Sequence, residues 1–263
     1  MVHEKPGNSL FGDIGDDTEF RKRYGELIGE GMTAVIYAHN GIVAKVYREG
    51  QPKFQAFKEA FTLAVVEELG IPAPNVYSVE TVRSRTAVLM DQVWGISLMD
   101  MYMENPEKLG EYLDKAVELQ NAMHKAFFSE FLPQKIMLQG MINASPSLNQ
   151  EEKDRLNAML DTLPDGFSIC HGDFHYGNIL YDGISYKIID WAEVSSGCPA
   201  ADACRSYLDY CMASDELSRM YLEKYCTASG IPREEILVWL PVVAGALYGY
   251  LSDEGKKIVK KYF

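Results

Sequence analysis

Between Tyr24 and Gln92 the apolar positions come in short runs separated by turn residues, the rhythm of a small sheet with one helix inserted. Tyr24 to Gly31 and Thr33 to Ala38 read as strands, and Asn40-Gly41 is the dipeptide expected of a tight hairpin turn before a third strand, Ile42 to Tyr47. Phe54, Phe57, Phe61, Leu63, Ala64, Val65 and Leu69 then recur at helical spacing, and Gly70 with Pro72 and Pro74 stops the helix. Val76 to Val82 and Thr86 to Asp91 predict a second hairpin around Arg83-Ser84. Beyond Trp94-Gly95 the β-branched content falls, and Ser97 to Met103, Glu107 to Phe128 and Gln150 to Leu160 are helical by pattern. A β-rich island, Gly166 to Asp190, interrupts the helices, which resume from Ala200 to Phe263 with a break at Gly230-Ile231-Pro232. The predicted class is α+β: a small β-rich part with one helix over residues 1–93, of which 1–20 form a leading tail, and a larger, mainly helical part over 94–263.

Composition narrows what such a protein does. Its 263 residues are 47% hydrophobic, which allows a sizeable core. A net charge of −13 argues against nucleic acid as a partner, because phosphate backbones require an excess of Lys and Arg. Acidity favours cationic ligands, although it also serves solubility alone. Met1 to Asp13 holds no apolar run of the signal-peptide kind, and Ile236 to Leu251, the most apolar stretch, is short and interrupted by Pro241 and two glycines. Five cysteines without paired close spacing suit reduced thiols. These features predict a cytoplasmic protein with no membrane attachment.

The island carries the chemistry. Cys170-His171-Gly172-Asp173-Phe174-His175-Tyr176-Gly177-Asn178-Ile179-Leu180 is followed by a strand-like Lys187-Ile188-Ile189 and then Asp190-Trp191. Asp182-Gly183 reverses the chain between the apolar strands, so Asp173, Asn178 and Asp190 converge. Phosphoryl transfer asks for this set: a carboxylate to orient the attacking hydroxyl, and hard oxygen ligands for Mg²⁺. Asp173 suits the base, and Asn178 and Asp190 suit the metal ligands. The spacing from Asp to Asn is that of a kinase catalytic loop, with Gly172 where protein kinases carry Arg, which argues against control by a phosphorylated activation loop.

His-Gly-Asp-x-x-x-x-Asn-Ile-Leu followed by Ile-Ile-Asp-Trp resembles the aminoglycoside and choline kinase family. The resemblance spans Tyr24 to about Asp209 and implies a bilobal, protein-kinase-like fold. It further implies transfer of a γ-phosphate from ATP, GTP being the alternative, to a hydroxyl of a small, amine-bearing molecule such as an aminoglycoside, an amino sugar, a choline-like alcohol or homoserine. On that basis Gly29, Gly31 and Thr33 would cover the phosphates. Lys45 would reach them from the third strand, with Glu59 as ion-pair partner and Glu67 or Glu68 as alternatives. The backbones of Asp91 and Val93 would bond the adenine, with Met90 at its back. Asp202, after Gly197-Cys198-Pro199, would be scaffold, as the N-cap of the next helix.

Several residues have plainer explanations. Taken singly, the glycines suit an ordinary hairpin, Lys45 a solvated strand and Met90 to Val93 a sheet edge. His124 reads as a packed core histidine, while His175 is left between substrate and backbone. Glu193, Asp209, Asp215, Glu216, Asp253 and Glu254 read as solvated helix faces more readily than as an amine pocket. Tyr207, Tyr210, Tyr221, Tyr225, Trp239 and Tyr248 read as core rather than as a stacking platform. A protein kinase is the second reading, disfavoured by the short segment after Asp190 and the lack of Ala-Pro-Glu. A non-catalytic nucleotide-binding module is the third, disfavoured because every charged candidate is present.

Overall fold

Asn40 and Gly41 both take positive φ, 49° and 81°, the pairing that lets a two-residue turn follow the right-handed twist of its strands. The computed structural model describes residues 18–263, and the chain divides into two compact units at Trp94/Gly95. In the first unit, α1 (Thr18–Tyr24) leads into β1 (Glu26–Glu30), β2 (Ala34–His39) and β3 (Ile42–Tyr47). After α2 (Lys53–Glu68) come β4 (Val76–Val82) and β5 (Arg85–Asp91), giving an antiparallel sheet in the order β1-β2-β3-β5-β4. Arg83 accepts φ 53° in the second turn, which lets β5 begin at Arg85, one residue earlier than the pattern predicts. Lys45 is placed on the central strand, opposite Ile36 of β2 and Val88 of β5.

Helix α2 forms where predicted but buries a different face. Ala56, Glu59, Thr62, Leu63, Val65 and Val66 are buried, whereas Phe54, Phe57 and Phe61 are 66%, 51% and 47% exposed. The packed face runs against β4 and β5, and its small and β-branched side chains allow close approach to the sheet. Counting phenylalanines as core therefore rotates the helix the wrong way.

The second unit opens with β6 (Ile96–Ser97), α3 (Leu98–Glu104), α4 (Leu109–Met123), α5 (Gln134–Ala144) and α6 (Gln150–Thr162). Ser97 caps α3 by accepting from the Asp100 N–H, and Asn149 with Glu152 forms a capping box at the start of α6. The island supplies β7 (Ser168–Cys170), β8 (Ile179–Tyr181), β9 (Tyr186–Ile188) and β10 (Ser195–Gly197). These pair antiparallel as a ribbon β6-β8-β9 and a couple β10-β7. The chain ends with α7 (Pro199–Ala213), α8 (Asp215–Ser229), α9 (Arg233–Leu237), α10 (Leu240–Leu247) and α11 (Asp253–Val259). Gly230 terminates α8 in the left-handed conformation, as its position before Pro232 predicts. Trp239, Tyr210, Tyr221 and Tyr225 are fully buried in this unit's core, which settles them as packing residues. Among the described residues no helix is long and apolar enough to cross a membrane.

Candidate active site

The loop between β7 and β8 carries Asp173 and Asn178, and the β8-β9 hairpin returns Asp190 to the same place. Ile179 pairs with Ile188, and the Ile189 N–H donates to the Asn178 carbonyl at 2.9 Å. The Asn178 side-chain nitrogen donates to the Asp173 carbonyl at 2.9 Å, so Asn178 Oδ1 is the atom left to face a cation. Asp190 is exposed and held at φ 64°, an uncommon conformation for a residue with a side chain. Two hard oxygen donors, one of them anionic, on a paired hairpin fit Mg²⁺, which takes one or two protein ligands and fills its shell with water and phosphate.

His171 ties the loop to the hairpin. Its Nδ1 accepts from the Asp173 N–H at 3.2 Å while its Nε2 lies 3.1 Å from the Ile189 carbonyl, so the ring is neutral with its proton on Nε2. Complete burial holds its pKa below the ordinary value, outweighing the attraction of Asp202, Asp173 and Asp190. His175 goes to backbone: its Nδ1 accepts from the Gly177 N–H at 3.0 Å and closes the turn Tyr176–Asn178.

Asp202 anchors the loop from behind. Its Oδ1 accepts from the Gly172 N–H at 2.7 Å; its Oδ2 accepts from His124 Nε2 at 2.9 Å and from Gln120 Nε2 at 3.3 Å. Tyr225 donates to His124 Nδ1 at 2.7 Å, which leaves the His124 proton for Asp202. Burial pushes the Asp202 carboxyl up, but the bonds from His124 and Gly172 outweigh it and hold the group below the usual carboxylate range. Asp202 is scaffold, yet it is not the N-cap of α7, because Pro199 already occupies the first turn and Cys198 precedes it. His124 is the satisfied core histidine expected of it, at 5% exposure. Cys170 also lies close to His124 and Asp202; burial pushes its thiol up, and the thiol donates to the Cys198 carbonyl at 3.7 Å. Gly172 takes φ 83°, and a Cβ there would come within 2.5 Å of the Glu193 carbonyl, so the Arg of protein kinases has no room at this position.

Arg205, on α7, has no motif to announce it. Its Nη2 donates to Asp173 Oδ1 at 2.8 Å and its Nη1 pairs with Asp209 one turn along. The two carboxylates keep Arg205 charged despite burial, while burial raises the Asp209 carboxyl even with Arg205 beside it. Asp209 is thus no solvated helix face. Asp173 Oδ2, 3.8 Å from His175 Nε2, is the oxygen turned away from Arg205.

In the first unit, Lys45 Nζ pairs with Glu59 Oε1 at 2.8 Å, and the Tyr47 hydroxyl donates to Glu59 Oε2. Glu67 and Glu68, at the far end of α2, do not make this pair. Gly29 and Gly31 need no positive φ, and a Cβ on either would make only ordinary contacts, so nothing inside the unit demands glycine there. Thr33 accepts at its carbonyl from the Arg48 N–H at 2.8 Å, and Arg48 Nε donates to the Gly31 carbonyl at 3.0 Å, which shapes the turn. Met90 is buried at the end of β5. The Asp91 N–H donates to the Asn75 carbonyl and its carboxylate accepts from the Asn75 N–H and the Tyr77 hydroxyl, so only its carbonyl is left for an adenine. Val93 follows outside any strand.

A family model described as the phosphotransferase enzyme family matches residues 26–237. Among solved structures, aminoglycoside-3'-phosphotransferase of type VIII is similar over 87% of this chain and 97% of its own, with 18% identity and a TM-score of 0.65. A thermostable mutant of aminoglycoside phosphotransferase APH(4)-Ia, in ternary complex with AMP-PNP and hygromycin B, matches over 94% and 96% of the two chains at 16% identity and a TM-score of 0.67. Choline kinase LicA from Streptococcus pneumoniae matches over 94% and 95% at 12% identity and a TM-score of 0.66. A search of curated proteins finds no match. At these identities the structures establish the fold: the α+β arrangement of a small antiparallel sheet lobe and a helical lobe predicted above.

Two outcomes follow from the buried polar groups. Asp202→Ala strands the donors of Gly172, His124 and Gln120, and should cost about 3 kcal/mol or more, read as a drop in urea midpoint. His171 is held neutral in the fold below its ordinary pKa of about 6.5, so the unfolded chain binds the extra proton first. The stability this contributes is complete above about pH 6.5 and is lost as pH falls below it. Urea midpoints at pH 7.5, 6 and 5 should decline for the native chain, with a shallower slope for His171→Gln.

Proposed function

This chain belongs to the phosphotransferase enzyme family, and on that premise we propose that it moves the γ-phosphate of ATP to a hydroxyl of a small molecule. The observation that carries the reading is the meeting of Asp173, Asn178 and Asp190 on one hydrogen-bonded loop and hairpin, with Asp173 oriented by Arg205. Mg²⁺, when bound at Asn178 and Asp190, would neutralise charge on the β- and γ-phosphates. Asp173 Oδ2 accepts a hydrogen bond from the acceptor hydroxyl and aligns it for attack, taking its proton as the bond to the γ-phosphorus forms and the bond to the bridging oxygen breaks, releasing ADP. Arg205 prevents the carboxylate from rotating, so the alignment is prepared before substrate arrives.

In the first unit, Lys45 steadies the nucleotide phosphates, with Glu59 and Tyr47 holding the ammonium in place. Gly29, Gly31 and Thr33 present backbone to the phosphates, which accounts for glycines that the fold itself does not require. The carbonyl of Asp91 and the N–H of Val93 receive the adenine, with Met90 behind it. ATP is the proposed donor, in keeping with the AMP-PNP named for one of the similar structures. An amine-bearing alcohol is the acceptor class, in keeping with the hygromycin B and choline named for two of the similar structures. A protein substrate is disfavoured: residues 191–198 alone separate Asp190 from α7, and Gly172 replaces the Arg on which activation-loop control depends.

Asp173→Asn should lower kcat roughly 10²- to 10⁴-fold, and Asp190→Ala should abolish Mg²⁺-dependent ADP release, both in protein that a urea titration shows to be folded. Near-native turnover in Asp190→Ala would contradict its role as a metal ligand. Arg205→Lys keeps the charge but loses the fork that spans Asp173 and Asp209, so kcat should fall about tenfold with the KM for ATP unaltered.

A further inference from the structure

A cavity of about 290 Å³ opens beside Asp173, wholly within the second unit. Its walls come from α5, through Met137, Leu138 and Met141, and from α10, through Val243 and Leu247. Four charged side chains line it: Asp173, Glu193, Asp202 and Arg205. Most of that charge is already committed. Both Asp202 oxygens are bonded to Gly172, His124 and Gln120, and Arg205 pairs with Asp173 and Asp209 through its two terminal nitrogens, while its buried Nε has no hydrogen-bond partner among the described residues. The amide oxygen of Gln134, also on the wall, accepts from the Cys198 N–H at 2.9 Å. What faces an occupant is therefore a mostly aliphatic wall that also includes the exposed Tyr250, with Asp173 Oδ2, which accepts a long bond from Asn178 Nδ2 at 3.4 Å, at one end and the exposed carboxylate of Glu193 beside it.

We propose that the acceptor of this enzyme is an alcohol with an apolar, alkyl-bearing body and a single amine, not a polycationic aminoglycoside. The hydroxyl meets Asp173, the amine is matched by Glu193, and the alkyl part fills the space between α5 and α10. A sugar bearing several amines and hydroxyls would set most of those groups against methionine, leucine and valine, with Tyr250 and Arg205 Nε too few to satisfy them, at a cost that a compact aliphatic body avoids. The volume sits at the low end for small-molecule pockets of roughly 300–1,000 Å³, which also favours a compact acceptor. This rests on the reading of Asp173 as the hydroxyl-facing carboxylate.

The test is calorimetric titration of the full chain with a homologous series from 2-(methylamino)ethanol to 2-(hexylamino)ethanol, and with hygromycin B. Each added methylene that enters the cavity should lower Kd about fourfold, the transfer value of a buried CH₂. Met141→Ser should flatten that slope while leaving the affinity for Mg-AMP-PNP unchanged. A flat series, no binding by any member, or hygromycin B binding more tightly than the hexyl compound would overturn the proposal. Titration with Mg-AMP-PNP is read separately: its failure strikes at the phosphotransferase reading, whereas the chain-length slope needs no nucleotide.

Discussion

A carboxylate almost entirely removed from water, that of Asp202, sets the position of the loop that carries the proposed site. Desolvating such a group is expensive, and it is tolerated here because donors from three places meet it: the Gly172 N–H, His124 and Gln120. The network continues outward. Tyr225 orients His124, the Tyr221 hydroxyl donates to Gln120 Oε1 at 2.6 Å, and Ser206 donates to the Phe174 carbonyl at 2.6 Å. Helices α4, α7 and α8 are thereby joined to the segment from Gly172 to Phe174, so helix packing is transmitted directly to Asp173. A half-satisfied network would be worse than an apolar core, which explains why so many polar side chains are spent on one charge.

Around Asp173 the same economy recurs. Arg205 holds one carboxylate oxygen and is itself held by Asp209, His171 receives the Asp173 N–H, and Asn178 donates to its carbonyl. Positioning by this many fixed partners is how electrostatic catalysis lowers a barrier without reorganising at the moment of reaction. The neighbouring cavity takes its apolar character from the side chains of α5 and α10 instead.

The first unit solves a smaller version of the same problem. An ammonium on the central strand of a sheet would be costly to bury alone, and Glu59 turns inward from α2 to meet it, with Tyr47 fixing the second oxygen. This inward carboxylate shares the buried face of α2 with Ala56, Thr62, Leu63 and Val66, and Phe54, Phe57 and Phe61 lie outside it. The pair orients the helix as much as it orients Lys45.

Local chemistry written along the chain was sufficient for the five strands of the first unit, the Asn40-Gly41 turn, the Gly230 stop and the spacing of Asp173, Asn178 and Asp190, because each depends on neighbours within one hairpin or one helical turn. Helix α5, with only Gln134, Leu138 and Ile142 buried, was too weakly patterned to be read. β10 was likewise hidden, being three small residues whose only claim to strand is pairing with β7. Arg205, the pairing of Asp209, the true role of Asp202 and the face that α2 buries were decided in three dimensions. Each is a buried charge whose partner lies on another turn or another element, and desolvation penalties act on the folded arrangement rather than on the order of residues.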